Sequence, residues 1–415
     1  MNVRKNIIKL FKNDSIAPVL IALILSTLLI GYALSSILIG ILTLYSVLSS
    51  IYSRKKLELN VQLLLPIILY LFMCTTYFWS VDKALSLKGI GRLLSLIIVP
   101  ITFVLLPKLK KEDLKFILKV FTNANILLSL FFLVTSFMRY IATRSLNEFT
   151  YHRLVSNLDL NAIYVSMYFV ISLSYVLFKK NKQKRHFLMI LFFIVMLFLL
   201  SSKIVIGISL ISLLLFFILN SGYGIKIKQK VALLAFTLVV ISILFPSQIV
   251  TRFKDEKTIN VDEVLNNKTF GQIYPWTGTS IRLLQLRVLS EQIHEKKIFW
   301  TGFGLFASRK SLDEYHTKYN TYRAFHNYNY HNMYAQIFSE TGFFGLLLLV
   351  LLLLINFINA LKSRSFIFIL FSISMPIWFI TESVLWVQRG VLFFIVFYCL
   401  FNCIDLRIKN TITNS

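Results

Sequence analysis

His331-Asn332-Met333-Tyr334-Ala335-Gln336-Ile337-Phe338-Ser339-Glu340-Thr341-Gly342-Phe343-Phe344-Gly345 is where a long polar segment ends and an apolar helical run begins. The run continues through Leu346 to Ile358, enough to cross the roughly 30 Å of hydrocarbon in a bilayer. A histidine at this boundary lies near headgroup level. There it exchanges protons with water, as one inside the bilayer cannot.

Runs of the same kind recur on both sides of this stretch. Of 415 residues, 57% are hydrophobic and 15% charged, the composition of an integral membrane protein. The hydropathy pattern predicts an all-α membrane protein with twelve spans, at 18–31, 34–50, 61–79, 93–106, 116–138, 162–178, 187–200, 204–219, 231–245, 334–358, 366–382 and 391–404. Arg4, Lys5, Lys9 and Lys12 precede the first span with no small-residue cleavage site behind it, which reads as a retained helix.

Short cytoplasmic loops carry excess Lys and Arg. Arg54/Lys55/Lys56, Lys108/Lys110/Lys111, Lys179/Lys180/Lys182/Lys184/Arg185, Lys226/Lys228/Lys230, Lys362/Arg364 and Arg407/Lys409 all fall on the N-terminal side of this alternation. Both termini are therefore expected in the cytoplasm. The formal charge of +26 is largely this topological signal plus attraction to anionic lipid, and nucleic acid is a poor explanation for it.

The alternation leaves one large segment, 246–330, outside the cytoplasm. It is too long for a connector, and its Trp276, Trp300, many tyrosines and helix-like stretch 280–297 predict a partly helical cap. The chain thus divides into spans one to nine (1–245), an outer cap ending in the histidine motif (246–333), spans ten to twelve (334–405) and a cytoplasmic tail (406–415). Cys74, Cys399 and Cys403 all lie in apolar runs, so no disulfide framework or cysteine-based metal site is expected.

Many ionisable groups stand where spans meet the outer surface, which points to a site in the outer leaflet and away from a simple solute path. They are Arg92, His152, Arg153, Lys203, Arg282, Arg287, His326, His331, Glu382 and Arg389. Several cations beside a histidine suit an enzyme acting on a lipid-linked diphosphate. The cations hold the phosphates, and the imidazole takes a proton from an attacking hydroxyl. No Asp-x-Asp pair occurs on this side, so neither a divalent metal nor another cofactor is expected. Asp255-Glu256 and Asp262-Glu263 read as solvated loop charge.

His331-Asn332, nine residues, then Gly342-Phe343-Phe344-Gly345 resembles the signature of the O-antigen ligase and polymerase superfamily. Thr279-Ser280-Ile281-Arg282 followed by Trp300-Thr301-Gly302-Phe303-Gly304-Leu305-Phe306 resembles the rest of that family's outer loop. Weaker likenesses are Trp79-Ser80-Val81-Asp82, Pro100, Thr381-Glu382 and Gln388-Arg389-Gly390.

The resemblance implies a GT-C-like, inverting, metal-independent glycosyltransferase in a bacterial inner membrane, with its site on the periplasmic face. Its donor would be a glycan on undecaprenyl diphosphate. A ligase passes the glycan to a sugar of the lipid A core, and a polymerase passes it to another lipid-linked repeat unit. Carried over by position, His331 is the general base and Arg282 binds the donor diphosphate. Lys203 stands where the family has an arginine at the outer end of the eighth span, and Arg389 joins the same cationic side. A lysine there offers a point charge without the guanidinium fork.

Several of these residues have a plainer reading. Asn332 either supports the site or caps the following helix. His326-Asn327 repeats the dipeptide and is either a decoy or an acceptor-side group. Glu382 is costly at a span end unless paired, with Arg389 as the expected partner, or else it binds acceptor. Gly342 and Gly345, early in the tenth span, are expected to let another helix pack closely. Tyr319, Tyr322, Phe325, Tyr328 and Tyr330 either stack on sugar faces or form an interfacial aromatic belt. A compact outer loop favours ligase over polymerase. A polysaccharide flippase or transporter, the reading from another class, is disfavoured by spans largely uninterrupted by Pro or Gly.

Overall fold

The computed structural model describes residues 15–53, 60–179, 183–200, 202–219, 260–271 and 274–404. The basic segment from Arg4 to Lys12, the basic groups at 54–56, 180–182, 226–230 and 407–409, the ninth span and Asp255-Glu256 lie outside the described residues.

Every regular element among the described residues is helical. In hydrocarbon an unpaired backbone N–H or C=O is costly, and a helix satisfies these groups within one segment. The elements are α1 (Ile16–Thr27), α2 (Tyr32–Ser53), α3 (Val61–Thr75), α4 (Lys83–Arg92), α5 (Ser95–Leu105), α6 (Lys111–Thr143), α7 (Ala162–Leu177), α8 (Lys184–Leu199) and α9 (Lys203–Leu219). After these come α10 (Val261–Asn266), α11 (Gly278–Glu295), α12 (Ser308–Lys318), α13 (Met333–Ser363), α14 (Phe366–Phe379) and α15 (Gln388–Cys403). Five stretches, Tyr32–Ser53, Val61–Phe78, Lys83–Leu105, Lys111–Thr143 and Met333–Ser363, are long and apolar enough to cross a membrane, and five further apolar helices are shorter.

α7 and α15 form the centre. Both are apolar all round and nearly every residue is buried, as expected of helices enclosed by others. Their faces meet through Tyr168 and Phe393, whose ring centroids are 4.4 Å apart. α6, α8, α9 and α14 pack around α7, while α3 and α5 pack on α15. Two polar side chains in this region are satisfied locally: Ser174 Oγ donates to Val170 O (2.6 Å), and Asn125 Nδ2 donates to Ser172 Oγ (2.8 Å).

Of the segment expected to form a cap, 246–330, the described part from 274 onward is partly helical, and the core here includes Ile281, Leu284, Val288, Leu312, Tyr315, Tyr319 and Tyr330. Thr277 starts α11 by accepting the Ser280 N–H at 3.1 Å. Two buried glutamines on α11 then tie the cap together. Gln285 Nε2 donates to Asn329 O (2.8 Å), Gln292 Nε2 donates to Ser311 Oγ (3.1 Å), and Gln292 Oε1 accepts from Tyr330 OH (2.6 Å).

Three boundaries differ from the hydropathy pattern. Asp82 caps α4 by accepting the Leu85 N–H at 3.0 Å, so the fourth helical run starts at Lys83, and Lys88 and Arg92 are helical. α14 ends at Phe379, leaving Glu382 in a turn closed by its own N–H on Trp378 O at 3.1 Å. The third concerns Gly342, which does not serve as a helix-packing position. Its φ of 67° and ψ of −163° break α13, and a Cβ there would run into the backbone of Trp300 and Thr301. The break brings two backbones edge to edge: Phe303 N–H donates to Ser339 O, Gly304 N–H to Glu340 O and Phe343 N–H to Phe299 O, each at 2.8 Å. Trp79 Nε1 donates to Thr301 O (2.9 Å) and Val81 N–H to Phe303 O (3.0 Å), so the chain just after α3 joins the same junction.

Candidate active site

Three chain segments meet beside this junction. Arg282 comes from the first turns of α11, His331 from the residue before the Asn332 cap of α13, and Glu382 from the turn after α14. Arg282 Nη2 lies 3.2 Å from Glu382 Oε1, and His331 Nδ1 lies 3.7 Å from Glu382 Oε2. Glu382 is thus the shared carboxylate of a cation and an imidazole. Its side chain is 6% exposed against 26% for His331 and 25% for Arg282, so the carboxylate is sealed while the other two reach the surface.

Arg282 is held on all sides. Its Nε donates to Thr381 O (3.0 Å) and its Nη1 to Gly278 O (2.7 Å), which fixes the guanidinium against both α11 and the turn that carries Glu382. One N–H on each Nη remains free of these bonds. His331 takes a left-handed backbone (φ 45°), with its N–H donated to Asn329 Oδ1 at 2.8 Å. The Nδ1 atom is buried without a hydrogen bond, since 3.7 Å to the carboxylate is an ion-pair distance and too long for one. Nε2 is therefore the ring nitrogen left for a ligand.

Glu382 pairs with Arg282 and not with Arg389. The turn at 384–386 carries the chain away, so the Arg389 guanidinium lies 4.2 Å over the Tyr32 ring on the α2 side. Its carbonyl accepts from Tyr168 OH at 3.3 Å. Lys203 opens α9, which packs against α14, the helix that Glu382 follows. Asn332 has the capping role, its Oδ1 accepting the Ala335 N–H at 3.0 Å. His326 lies against His316 instead, with ring centroids 5.8 Å apart.

Other charged groups act in the scaffold. Arg153 and Arg139 clamp the buried Glu148 at 2.7 and 2.9 Å. Burial raises that carboxyl, but the two guanidiniums outweigh it and hold it below the usual range. Arg287 bonds Glu291 Oε1 (3.0 Å) and the carbonyls of Val264 and Asn267, pinning α10 to α11. His152 Nδ1 accepts the Ala162 N–H at 3.3 Å, at the start of α7. Arg92 lies 5.2 Å over the Phe306 ring, which stacks on Trp386 at 4.5 Å.

Two buried carboxylates, Glu148 and Glu340, escape sequence reasoning. Glu340 Oε1 gathers Gln336 Nε2 (2.5 Å), Trp386 Nε1 (2.9 Å) and Ser308 Oγ (3.4 Å), locking α13 to α12 and to the turn after Glu382. The only signal for it is the Gln336/Glu340 pair four residues apart on one helix face. No group of three or more His, Cys, Asp or Glu side chains converges as metal ligands among the described residues.

The cap also carries a pH-sensitive core group. Burial pushes the His316 imidazole down from 6.5 to about 4, with the neighbouring His326 charge adding to the effect. Its Nδ1 is 3.0 Å from Thr321 Oγ1 and its Nε2 is buried without a partner. Between those two values the unfolded cap binds a proton that the folded cap refuses. Its stability is therefore complete above pH 6.5 and falls by about 3 kcal/mol as the pH drops toward 4. Hydrogen exchange of α12 should show protection decreasing over that window, and His316→Gln should flatten the dependence.

No curated protein matches the chain. Residues 187–350, which include Arg282, the cap and His331, match the model of the O-antigen ligase family, so this part of the chain is similar to that family.

Proposed function

We propose that this protein is an inverting glycosyltransferase that moves a glycan from undecaprenyl diphosphate to a sugar of the lipid A core at the periplasmic face of an inner membrane, crossing that membrane twelve times. The observation that carries the reading is the Arg282–Glu382–His331 group, with its carboxylate buried and its imidazole reaching out from the cap. His331 Nε2 takes the proton of the acceptor hydroxyl as that oxygen bonds to the anomeric carbon. The bond from that carbon to the diphosphate oxygen breaks on the opposite face, inverting the centre, and undecaprenyl diphosphate leaves with the electron pair.

Glu382 faces Nδ1, the ring nitrogen opposite the one that takes the proton in this step. It stabilises the imidazolium and sets which ring nitrogen accepts the proton. Arg282 pairs with Glu382 at 3.2 Å and directs its two remaining N–H donors at the donor diphosphate. Lys203, at the start of α9 beside α14, adds positive charge, whereas Arg389 over Tyr32 stands outside this group. Neutralising the diphosphate with fixed cations stabilises the leaving group as charge develops on it.

The test uses purified protein, undecaprenyl-diphosphate-linked glycan, and lipid A core or a second lipid-linked repeat as separate acceptors. Transfer to core supports the ligase; lengthening without core makes the protein a polymerase; no transfer to either rejects the reading. Within this scheme Glu382→Gln should lower kcat by about 10²-fold or more while the KM for donor changes little. A mutant at wild-type kcat would remove Glu382 from the mechanism.

A further inference from the structure

The five aromatic residues that precede His331 separate into two groups in the fold. Tyr319 and Tyr330 are in the cap core, the first donating its OH to Glu291 and the second to Gln292 at 2.6 Å. Tyr322 and Tyr328 remain 47% and 37% exposed, although each has a buried tyrosine within three residues in sequence. Phe325 stands between them, with ring centroids 5.7 Å from Tyr322 and 5.6 Å from Tyr328. Trp276 braces Phe325 from below at 5.5 Å. The row ends at the site, because the Tyr328 ring meets the His331 ring edge-to-face at 5.2 Å.

This row is not the interfacial belt. A different aromatic group, Phe299, Trp300, Phe343 and Phe344, is exposed at the Gly342 break, with centroid separations of 4.7 to 5.8 Å between neighbouring rings. Those rings continue into the exposed Leu347, Val350 and Leu351 of α13, as a bilayer-facing surface does. Tyr322 and Tyr328 instead stand on the polar cap. Their backbone is pinned at Asn327, whose N–H donates to Asp313 Oδ1 (2.6 Å), and at Asn329, whose carbonyl accepts from Gln285 (2.8 Å). Exposed rings on a fixed backbone, leading to the group that activates a hydroxyl, form a surface for the apolar face of a pyranose.

We infer that Tyr322, Phe325 and Tyr328 form the acceptor-sugar subsite, with Tyr328 stacking on the sugar whose hydroxyl is presented to His331 and Tyr322 on a neighbouring sugar. The inference rests on the reading above that His331 receives the acceptor. The stacking rings supply binding and orientation, and proton transfer stays with His331.

Two measurements separate the failure of this inference from the failure of that reading. The first is binding of delipidated core oligosaccharide to the purified, full-length protein, which needs no turnover. Tyr328→Leu should weaken it roughly tenfold and Tyr322→Leu by a smaller factor, while Tyr328→Phe, which keeps the ring, should bind like wild type. The second is transfer kinetics, in which Tyr328→Leu should raise the acceptor KM by a similar factor and leave donor KM unchanged. Wild-type binding by Tyr328→Leu, or equal loss in Tyr328→Leu and Tyr328→Phe, would overturn the subsite. Intact ring-dependent binding in a protein that transfers no glycan would instead overturn the catalytic reading and leave a glycan-binding surface standing.

Discussion

Replacing His331 with alanine should lower glycan transfer by about 10²–10⁴-fold, the range over which a positioned general base contributes. The loss should fall on kcat, since the imidazole acts only as the acceptor oxygen bonds to carbon. The backbone complicates this mutant: φ is 45° at His331, a left-handed conformation that costs an ordinary residue about 1–2 kcal/mol. His331→Asn is the better companion, because asparagine tolerates that region yet offers no basic nitrogen. Both variants should reach the membrane and elute from a sizing column like wild type, and both should be inactive. An active His331→Asn would dismiss the general base at this position and make Glu382 the group to test.

Gly342→Ala should be the most damaging substitution for stability, by about 2–6 kcal/mol. Two costs add here, a conformation that only glycine adopts freely and an overlap with neighbouring atoms. The Cβ would meet the carbonyl of Trp300 and the N–H of Thr301, which are backbone and cannot swing aside. Gly40, inside α2, offers the control. Nothing lies within 4 Å of a Cβ added there, so Gly40→Ala should cost clearly less. Thermal unfolding in detergent would order the two, and an equal or reversed order would refute the backbone argument.

The long apolar runs were readable because a span needs a length and polarity that little else in a sequence imitates. The cap helix read at 280–297 appears as Gly278–Glu295, since Thr277 and the apolar spacing mark it locally. His331 and Arg282 were named from a local pattern and stand in one cluster with Glu382. Their connection was not legible. Arg282 and Glu382 are 100 residues apart, and Arg389, much nearer in sequence, was the more obvious partner. A turn of three residues at 384–386 decides between them, and its direction depends on tertiary packing. Gly342 illustrates a second limit. A glycine inside an apolar run is consistent with helix packing or with a helix break, and only the loop at 299–304 tells which.

The pairing of Arg282 with Glu382 also sets an order of events during synthesis. At about 5–20 residues per second the ribosome makes Glu382 roughly 5–20 s after Arg282. During that interval the cap can form around its own core while its cation and its histidine lack a counter-charge. The centre is completed only when the turn after α14 arrives, so a nascent chain that stalls before Glu382 exposes a folded cap and an unassembled site. Assembly of the three-residue cluster is thereby tied to the arrival of the last helices.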